Sequence, residues 1–183
     1  YQVETGNDYN INIHYYCEDM SGDALSLDFG CQRPIDKQQI INRLADVDVV
    51  VFAGGISPQL EGEEKAVSVE GFRGGDREII ELPKSQSELL AAWRDAGKKV
   101  VFVNYSGSAI ALTDEAVPAA AVLQAWYPGQ AGGEAVADVL FGDYNPSGKL
   151  PITFYTSTDE LPDFQDYSMK NRTYRYYQGK PLY

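Results

Sequence analysis

The chain opens on a stretch in which apolar and polar residues alternate. Between residues 9 and 16 the apolar members are Tyr9, Ile11, Ile13 and Tyr15. Residues 24–29 repeat the same period, and residues 21–23, Ser-Gly-Asp, have the composition of a turn. A two-residue period is typical of a strand with one buried face, so we predict an antiparallel β-hairpin within residues 1–33.

Four apolar runs in the rest of the chain predict further β-strands. Residues 47–53 and 100–103 are almost unbroken apolar runs, which are typical of strands buried on both faces. Residues 121–126 and 150–155 predict two more. Pro151 places the last of these at a sheet edge or at a strand start, because proline cannot donate to a neighbouring strand.

Three segments between these strands carry a helical pattern. One precedes the first apolar run and has on a single face the residues Ile40, Ile41 and Leu44. Another is predicted to begin at Ser85, with Glu88 completing a capping box, and to end at Gly97 in the left-handed conformation. The last follows Gly132–Gly133.

Strands that alternate with helices predict an α/β fold, with a mostly parallel sheet flanked by helices, over residues 34–183. The chain has 183 residues, 44% of them hydrophobic, which suits one such domain beside the small hairpin. Its formal net charge of -12 disfavours nucleic acid and anionic membranes as partners. Because the first residue is Tyr1 rather than Met, we expect the chain to be part of a longer protein.

A group of carboxylates follows the first predicted buried strand: Glu61, Glu63 and Glu64. Ligands of open α/β sheets bind beyond the carboxyl ends of the strands, where a loop carboxylate can also reach a second domain. Glycoside hydrolysis needs one carboxylic acid to protonate the leaving oxygen and a second carboxylate as nucleophile or base. The alternative is a solvated surface cluster, which is the more common situation of glutamate.

Other patterns argue against several kinds of site. His14 is the only histidine and falls on the polar side of a predicted strand, so a Ser-His-Asp arrangement is not expected. Residues 106–108, Ser-Gly-Ser, lack the G-x-S-x-G frame and are interpreted as a turn after a strand. With only Cys17 and Cys31 beside that histidine, no zinc site, other metal or cofactor is expected. Whether the two cysteines form a disulfide stays open.

Several segments resemble, in order, those of family 3 glycoside hydrolases. Residues 74–77, Gly-Gly-Asp-Arg, with Leu82-Pro83 and Gln86 after them, resemble the "GDR…LP…Q" signature of that family. Residues 124–151 resemble its "AWYPGQEGG…LFGxxNPSGKLP" run. The chain from residue 36 to 183 is therefore similar to the second, α/β domain of these enzymes.

The N-terminal segment carries a weaker resemblance. Residues 1–33 resemble the final strands of a carbohydrate-binding β-sandwich of protective-antigen type that is inserted into this domain in some members of the family. The alternative is an extra edge hairpin of the α/β domain itself.

The resemblance implies a retaining, exo-acting β-xylosidase or β-glucosidase. Its nucleophile, an aspartate, belongs to a preceding (β/α)₈ barrel that this chain lacks, and the acid/base glutamate comes from this domain. The "GGxxxxxE" spacing of the xylosidase-like branch assigns that role to Glu61, with Glu63 as second and Glu64 as third choice. Asp76 and Arg77 are expected to pair and shape the loop.

The same resemblance implies the partners and the location. The partners are a β-linked oligosaccharide or aryl glycoside and the barrel of the same polypeptide, and the parent protein is expected to be periplasmic or secreted. The isolated chain is expected to be inactive. The alternative function is a non-catalytic carbohydrate-binding or scaffold module of a multidomain glycosidase.

Overall fold

The computed structural model describes residues 6–14, 34–62, 67 and 69–183. By its internal contacts the chain divides into two units, Tyr1–Ile35 and Asp36–Tyr183. In the first unit, residues 9–14 are exposed and belong to no strand, and His14 is exposed as expected. The remainder of the predicted hairpin and both cysteines lie outside the described residues, so the hairpin and its relation to an inserted module stay predictions.

The second unit contains short helices and short strands. In order they are α1 (Lys37–Arg43), β1 (Val49–Gly55), β2 (Phe72–Arg73), β3 (Asp76–Arg77), α2 (Lys84–Asp95), β4 (Lys99–Tyr105), β5 (Ala121–Gln124), α3 (Gly132–Phe141), a 3₁₀ turn (Thr158–Glu160) and α4 (Thr173–Tyr176). No helix in the described ranges is both long and apolar enough to cross a bilayer.

A three-stranded parallel sheet organises this unit. Its strand order is β1–β4–β5, with Phe52 opposite Phe102 and Phe102 opposite Val122. Strands β2 and β3 form a separate antiparallel pair with Phe72 opposite Arg77. The parallel sheet and its flanking helices confirm the predicted α/β class, and its carboxyl edge collects the loops that follow β1, β4 and β5.

The core lies on the face of the sheet that α2 covers. Trp93 of α2 meets Phe52 edge-on, with ring centroids 5.4 Å apart. Phe52 in turn stacks on Phe102 at 5.6 Å, and Phe102 and Leu90 are fully buried.

The opposite face of β1 differs from the prediction. Val49 and Val51 are 48% and 53% exposed, so the prediction that this strand is buried on both faces was wrong for the described chain. The reason is the alternation of side chains along the strand: Val50 and Phe52 point to the core face, and Val49 and Val51 point to the opposite face.

Helix α2 begins one residue earlier than predicted and without a capping box. Its N-cap is Pro83, which has no side chain able to accept a hydrogen bond, and Ser85 lies inside the first turn. Glu88 instead forms an ion pair with Lys37 of α1, with Nζ and Oε2 2.7 Å apart. The predicted end is confirmed, because Gly97 follows the last turn with φ +74°.

Residues 150–155 do not form the predicted strand. Phe154 is fully buried and exchanges two backbone hydrogen bonds with the chain end, from its own N–H to Tyr183 at 3.3 Å and from the N–H of Leu182 at 2.8 Å. Its neighbours Leu150 and Ile152 are exposed. Since Pro151 cannot donate and the pairing involves a single buried residue, no ladder develops.

Candidate functional site

The chain leaves the sheet after β1 at a tightly constrained glycine. Gly55 has φ +122°, and a Cβ there would overlap the backbone carbonyl of Tyr105. The side-chain amide of Gln86 binds both backbone groups of Gly55: the N–H donates to Oε1 at 2.8 Å, and Nε2 donates to the carbonyl oxygen at 2.7 Å. Helix α2 thereby fixes the point from which the following loop starts.

That loop carries Glu61 on a single turn. The N–H groups of Leu60 and Glu61 both donate to the carbonyl oxygen of Ser57, at 2.9 and 3.3 Å. Directly after the turn, Gly62 crosses Gly75 of the β2–β3 turn so closely that a Cβ at Gly75 would overlap the carbonyl oxygen of Gly62. The two segments therefore hold each other at the base of the loop.

Both oxygens of the Glu61 carboxylate are hydrogen-bonded. Oε1 accepts from the Ser108 hydroxyl at 2.8 Å, and Oε2 accepts from the Tyr127 hydroxyl at 2.9 Å. The Glu61 side chain is 21% exposed. Ser108 follows β4 and Tyr127 follows β5, so the carboxyl edge of the sheet brings the three side chains together.

Arg77 stands behind this carboxylate. Its Nε lies 3.9 Å from Oε1 of Glu61, and its side chain is only 11% exposed. The guanidinium donates to the Ser108 hydroxyl at 2.7 Å and to the carbonyl oxygens of Ala109 and Ile79 at 2.9 and 3.1 Å. Burial lowers the pKa of Arg77, while the negative charge of Glu61 opposes that effect. An arginine remains a cation throughout the physiological range.

The expected pairing of Asp76 with Arg77 was wrong. Among the described residues, the ion-pair partner of Arg77 is Glu61. Its Nε and one amino group bind Ser108 and backbone carbonyls, and its other amino group is buried without a described hydrogen-bond partner. Adjacent residues of strand β3 point to opposite sides, which separates the Asp76 carboxylate from the neighbouring guanidinium.

The Tyr127 hydroxyl has a second contact and an unusual approach. It lies 2.8 Å from the carbonyl oxygen of Ile56. The preceding residue, Trp126, has φ +57°, a conformation that is uncommon for a large side chain. The tyrosine ring lies over Gly107, where any Cβ would overlap it. Burial raises the pKa of Tyr127, and the hydrogen bond to Glu61 raises it further, so the phenol is neutral.

An open cavity of about 690 Å³ adjoins the carboxylate. Glu61, Arg77 and Ser108 line it together with residues of the C-terminal tail, among them Tyr155, Phe164 and Arg172. Aromatic, hydroxyl and cationic groups thus surround a space that a sugar ring can enter.

The sequence located only part of this arrangement. Glu61 lies on the loop after β1, as predicted, whereas Glu63 and Glu64 are outside the described residues and the choice among the three stays a prediction. Ser108 does lie in a turn, as interpreted, but its hydroxyl also binds the carboxylate, and Tyr127 was not singled out. The only signal for Tyr127 was its place inside the matched "AWYPGQ" run.

Comparisons with known proteins point to one family. The family model described as "Glycosyl hydrolase family 3 C-terminal domain" matches residues 6–183. A xylan 1,4-beta-xylosidase of Xylanibacter ruminicola is 53% identical over 176 residues, which are 96% of this chain and 20% of the relative. A periplasmic beta-glucosidase of Salmonella typhimurium is 38% identical over 143 residues, or 78% of this chain and 17% of the relative.

Solved structures give the same result. A GH3 exo-beta-xylosidase, XlnD, in complex with a xylobiose aziridine probe aligns with a TM-score of 0.63 and 27% identity over 80% of this chain and 19% of that one. A beta-glucosidase from Listeria innocua bound to isofagomine aligns with a TM-score of 0.57 and 31% identity, over 69% of this chain and 16% of that one. The chain thus spans at most about a fifth of the length of these proteins.

Proposed function

Because this chain belongs to glycosyl hydrolase family 3, whose C-terminal domain it matches, we propose that it supplies Glu61 as the general acid/base of a retaining β-glycosidase. The observation that carries the proposal is the Glu61 carboxylate itself. A hydroxyl donor holds each oxygen, a buried arginine stands behind it, and a cavity opens beside it.

The reaction needs a second carboxylate, which the resemblance places on a (β/α)₈ barrel of the same polypeptide. In retaining enzymes the two carboxyl groups stand about 5–5.5 Å apart across the scissile bond. Glu61 donates its proton to the leaving oxygen while the nucleophile attacks the sugar. The resulting Glu61 carboxylate then takes a proton from the water that releases the product.

We further propose β-linked xylosides as the preferred substrates and an exported parent protein. The spacing from Gly54 to Glu61 matches the xylosidase-like branch, and the 53%-identical relative is named as a xylosidase. A 38%-identical relative is named as periplasmic, which supports export. Kinetics on matched aryl xylosides and glucosides tests the first point, and cell fractionation tests the second.

The acid/base role is tested with Glu61→Ala in the full-length enzyme. Turnover of substrates with poor leaving groups falls by roughly 10² to 10⁴, the usual contribution of a positioned acid/base. Substrates with good leaving groups depend less on the acid, and added azide rescues them as a β-glycosyl azide of retained configuration. Glu115→Ala, at an exposed turn outside the site, is the matched control and leaves turnover unchanged.

A different result points to one of the alternatives. If Glu61→Ala barely alters turnover and yields no glycosyl azide, Glu61 is not the acid. The same assay on Glu63→Ala and Glu64→Ala then separates a neighbouring acid from a domain that only binds carbohydrate or shapes the site.

A further inference from the structure

The hydrogen bonds around Glu61 have directions that their chemistry fixes. A guanidinium can donate but never accept. Since an amino group of Arg77 lies 2.7 Å from the Ser108 oxygen, that oxygen is the acceptor of this bond. The single hydroxyl proton of Ser108 is then directed to Oε1 of Glu61, 2.8 Å away. The Ser108 oxygen has a second lone pair, but accepting there from a protonated Oε1 would leave the Ser108 proton without an acceptor among the described contacts, so Oε1 is the acceptor in both protonation states.

The other oxygen has a partner whose role can reverse. The Tyr127 hydroxyl has one proton and two neighbouring oxygens, Oε2 of Glu61 at 2.9 Å and the carbonyl of Ile56 at 2.8 Å. When Glu61 is a carboxylate, Tyr127 donates to Oε2. When Glu61 is an acid, Oε2 donates to Tyr127, and Tyr127 donates to Ile56. Each protonation state has a complete set of hydrogen bonds.

The partners of the two oxygens differ in exposure. Oε1 contacts Ser108 and lies near the buried Arg77, whose side chain is 11% exposed. Oε2 contacts Tyr127, which is 43% exposed. Oε2 therefore has the more exposed of the two hydroxyl partners.

We propose that the transferable proton of Glu61 resides on Oε2 and that Tyr127 is a positioning residue whose hydroxyl reverses direction at each proton transfer. The inference rests on the proposed acid/base role of Glu61. In the first step the nucleophile bonds to the sugar carbon, the leaving oxygen separates from that carbon, and this oxygen takes the proton from Oε2. The Tyr127 proton then turns from Ile56 to Oε2. In the second step Oε2 takes a proton from the attacking water as the bond to the nucleophile breaks, and Tyr127 turns back.

The backbone conformation next to Tyr127 also indicates that the position of its hydroxyl matters. Trp126, immediately before Tyr127, adopts φ +57°. Its indole ring packs edge-on against Phe154, with ring centroids 6.2 Å apart. Strained residues of this kind persist only where the surrounding structure holds them, and they are concentrated at functional sites. The ring of Tyr127 fits over Gly107 because glycine has no Cβ there.

The test is Tyr127→Phe in the full-length enzyme, which keeps the ring over Gly107 and removes only the hydroxyl. We expect kcat on glycosides with poor leaving groups to fall about tenfold, the effect of one hydrogen bond to a charged group. KM changes less than about twofold. The burst rate on dinitrophenyl glycosides stays near the wild-type value, because dinitrophenolate leaves without an acid. Tyr144→Phe, at an exposed position after α3, is the control and changes neither rate.

A double variant shows whether Tyr127 acts through Glu61. In the Glu61→Ala background, Tyr127→Phe should cause no further loss, because residues that act as one unit are not additive. An additive loss, or an equal loss on good and poor leaving groups, overturns the inference. If Tyr127→Phe fails to fold, Ser108→Ala removes the donor that keeps the proton off Oε1, and its loss should again be confined to poor leaving groups.

The two proposals fail in different ways. If Glu61→Ala retains activity, the acid/base role itself is wrong. If Glu61→Ala loses activity while Tyr127→Phe behaves as wild type on every leaving group, the acid/base role stands and only the inference about Tyr127 is overturned.

Discussion

At the scale of single residues, two glutamates of this domain are held by the same device. Glu61 receives one hydroxyl donor at each oxygen, from Ser108 and Tyr127. Glu81 receives both donors from one residue, Thr158, whose N–H and hydroxyl lie 2.8 and 2.6 Å from its two oxygens. The first carboxylate faces a cavity, whereas the second fastens the C-terminal tail to the core.

The Thr158 contacts make the tail sensitive to acid. Burial alone would raise the pKa of Glu81, but hydrogen bonds, first those from the side chain and backbone of Thr158 and then those from backbone groups of Glu81 and Ile80, together outweigh it and leave that pKa below its ordinary value. A carboxyl whose pKa is depressed on folding stabilises the protein above its unfolded pKa, and this contribution disappears as the pH falls through the folded pKa.

We therefore expect Glu81→Gln to lower the thermal midpoint at neutral pH and to flatten its fall on acidification. The difference from wild type should be largest near pH 7 and should vanish below the folded pKa of Glu81. Thermal unfolding of the full-length enzyme from pH 7 to pH 3 measures it, with the exposed Glu115→Gln as control. A constant difference at every pH would contradict the linkage.

The sequence predicts a residue such as Glu61 more readily than its partners. Glu61 lies seven positions after Gly54, so their relation can be read from local spacing. Ser108 and Tyr127 stand 47 and 66 positions further along the chain. They reach the carboxylate only because parallel strands end at one edge, and a spacing pattern contains no such information.

At the scale of elements, periodicity located helices α1, α2 and α3 and the three strands of the parallel sheet, but not β2, β3 or α4. It failed where a contact distant in sequence decides the outcome. The start of α2 depends on Pro83 and on the pairing of Glu88 with Lys37, which replaces the predicted capping box. Residues 150–155 have the composition of a strand, but the described backbone hydrogen bonds of Phe154 go only to the last two residues of the chain.

The junction between β1 and α2 provides a test at this scale. Gln86→Ala leaves the part-buried N–H and C=O of Gly55 without their side-chain partner. We expect a loss of about 1–3 kcal/mol in the free energy of unfolding, the cost of unsatisfied buried polar groups. Turnover should also fall, because the Glu61 loop starts at this glycine.

Chemical denaturation and kinetics of the full-length enzyme measure both effects. Gln38→Ala is the matched control, since Gln38 lies on exposed α1 and bonds only across one helical turn to Asn42 among the described contacts. It should change stability by less than about 0.5 kcal/mol. Equal effects of the two variants would show that Gln86 does not fix the start of the loop.

At the scale of the whole molecule, the described domain offers one half of the proposed chemistry. Its candidate acid is fixed, and the chain spans at most about a fifth of the length of the relatives it matches. Val49 and Val51, on the face of β1 that points away from the aromatic core, are half exposed.

The chain expressed alone should therefore fold but not hydrolyse glycosides, because the nucleophile implied by the family resemblance belongs to the barrel. A cooperative thermal transition together with the absence of turnover on dinitrophenyl xyloside and glucoside is the expected outcome. Reproducible turnover that is abolished by Glu61→Gln would show that this chain contains a complete site.

The close approach of Gly62 and Gly75 ties the Glu61 turn to the β2–β3 turn that precedes Arg77. The two turns cannot shift independently at this point, so the carboxylate and the arginine behind it keep one spacing. A side chain at Gly75 would push the Gly62 backbone away and would therefore change the surroundings of Glu61 without touching its carboxylate.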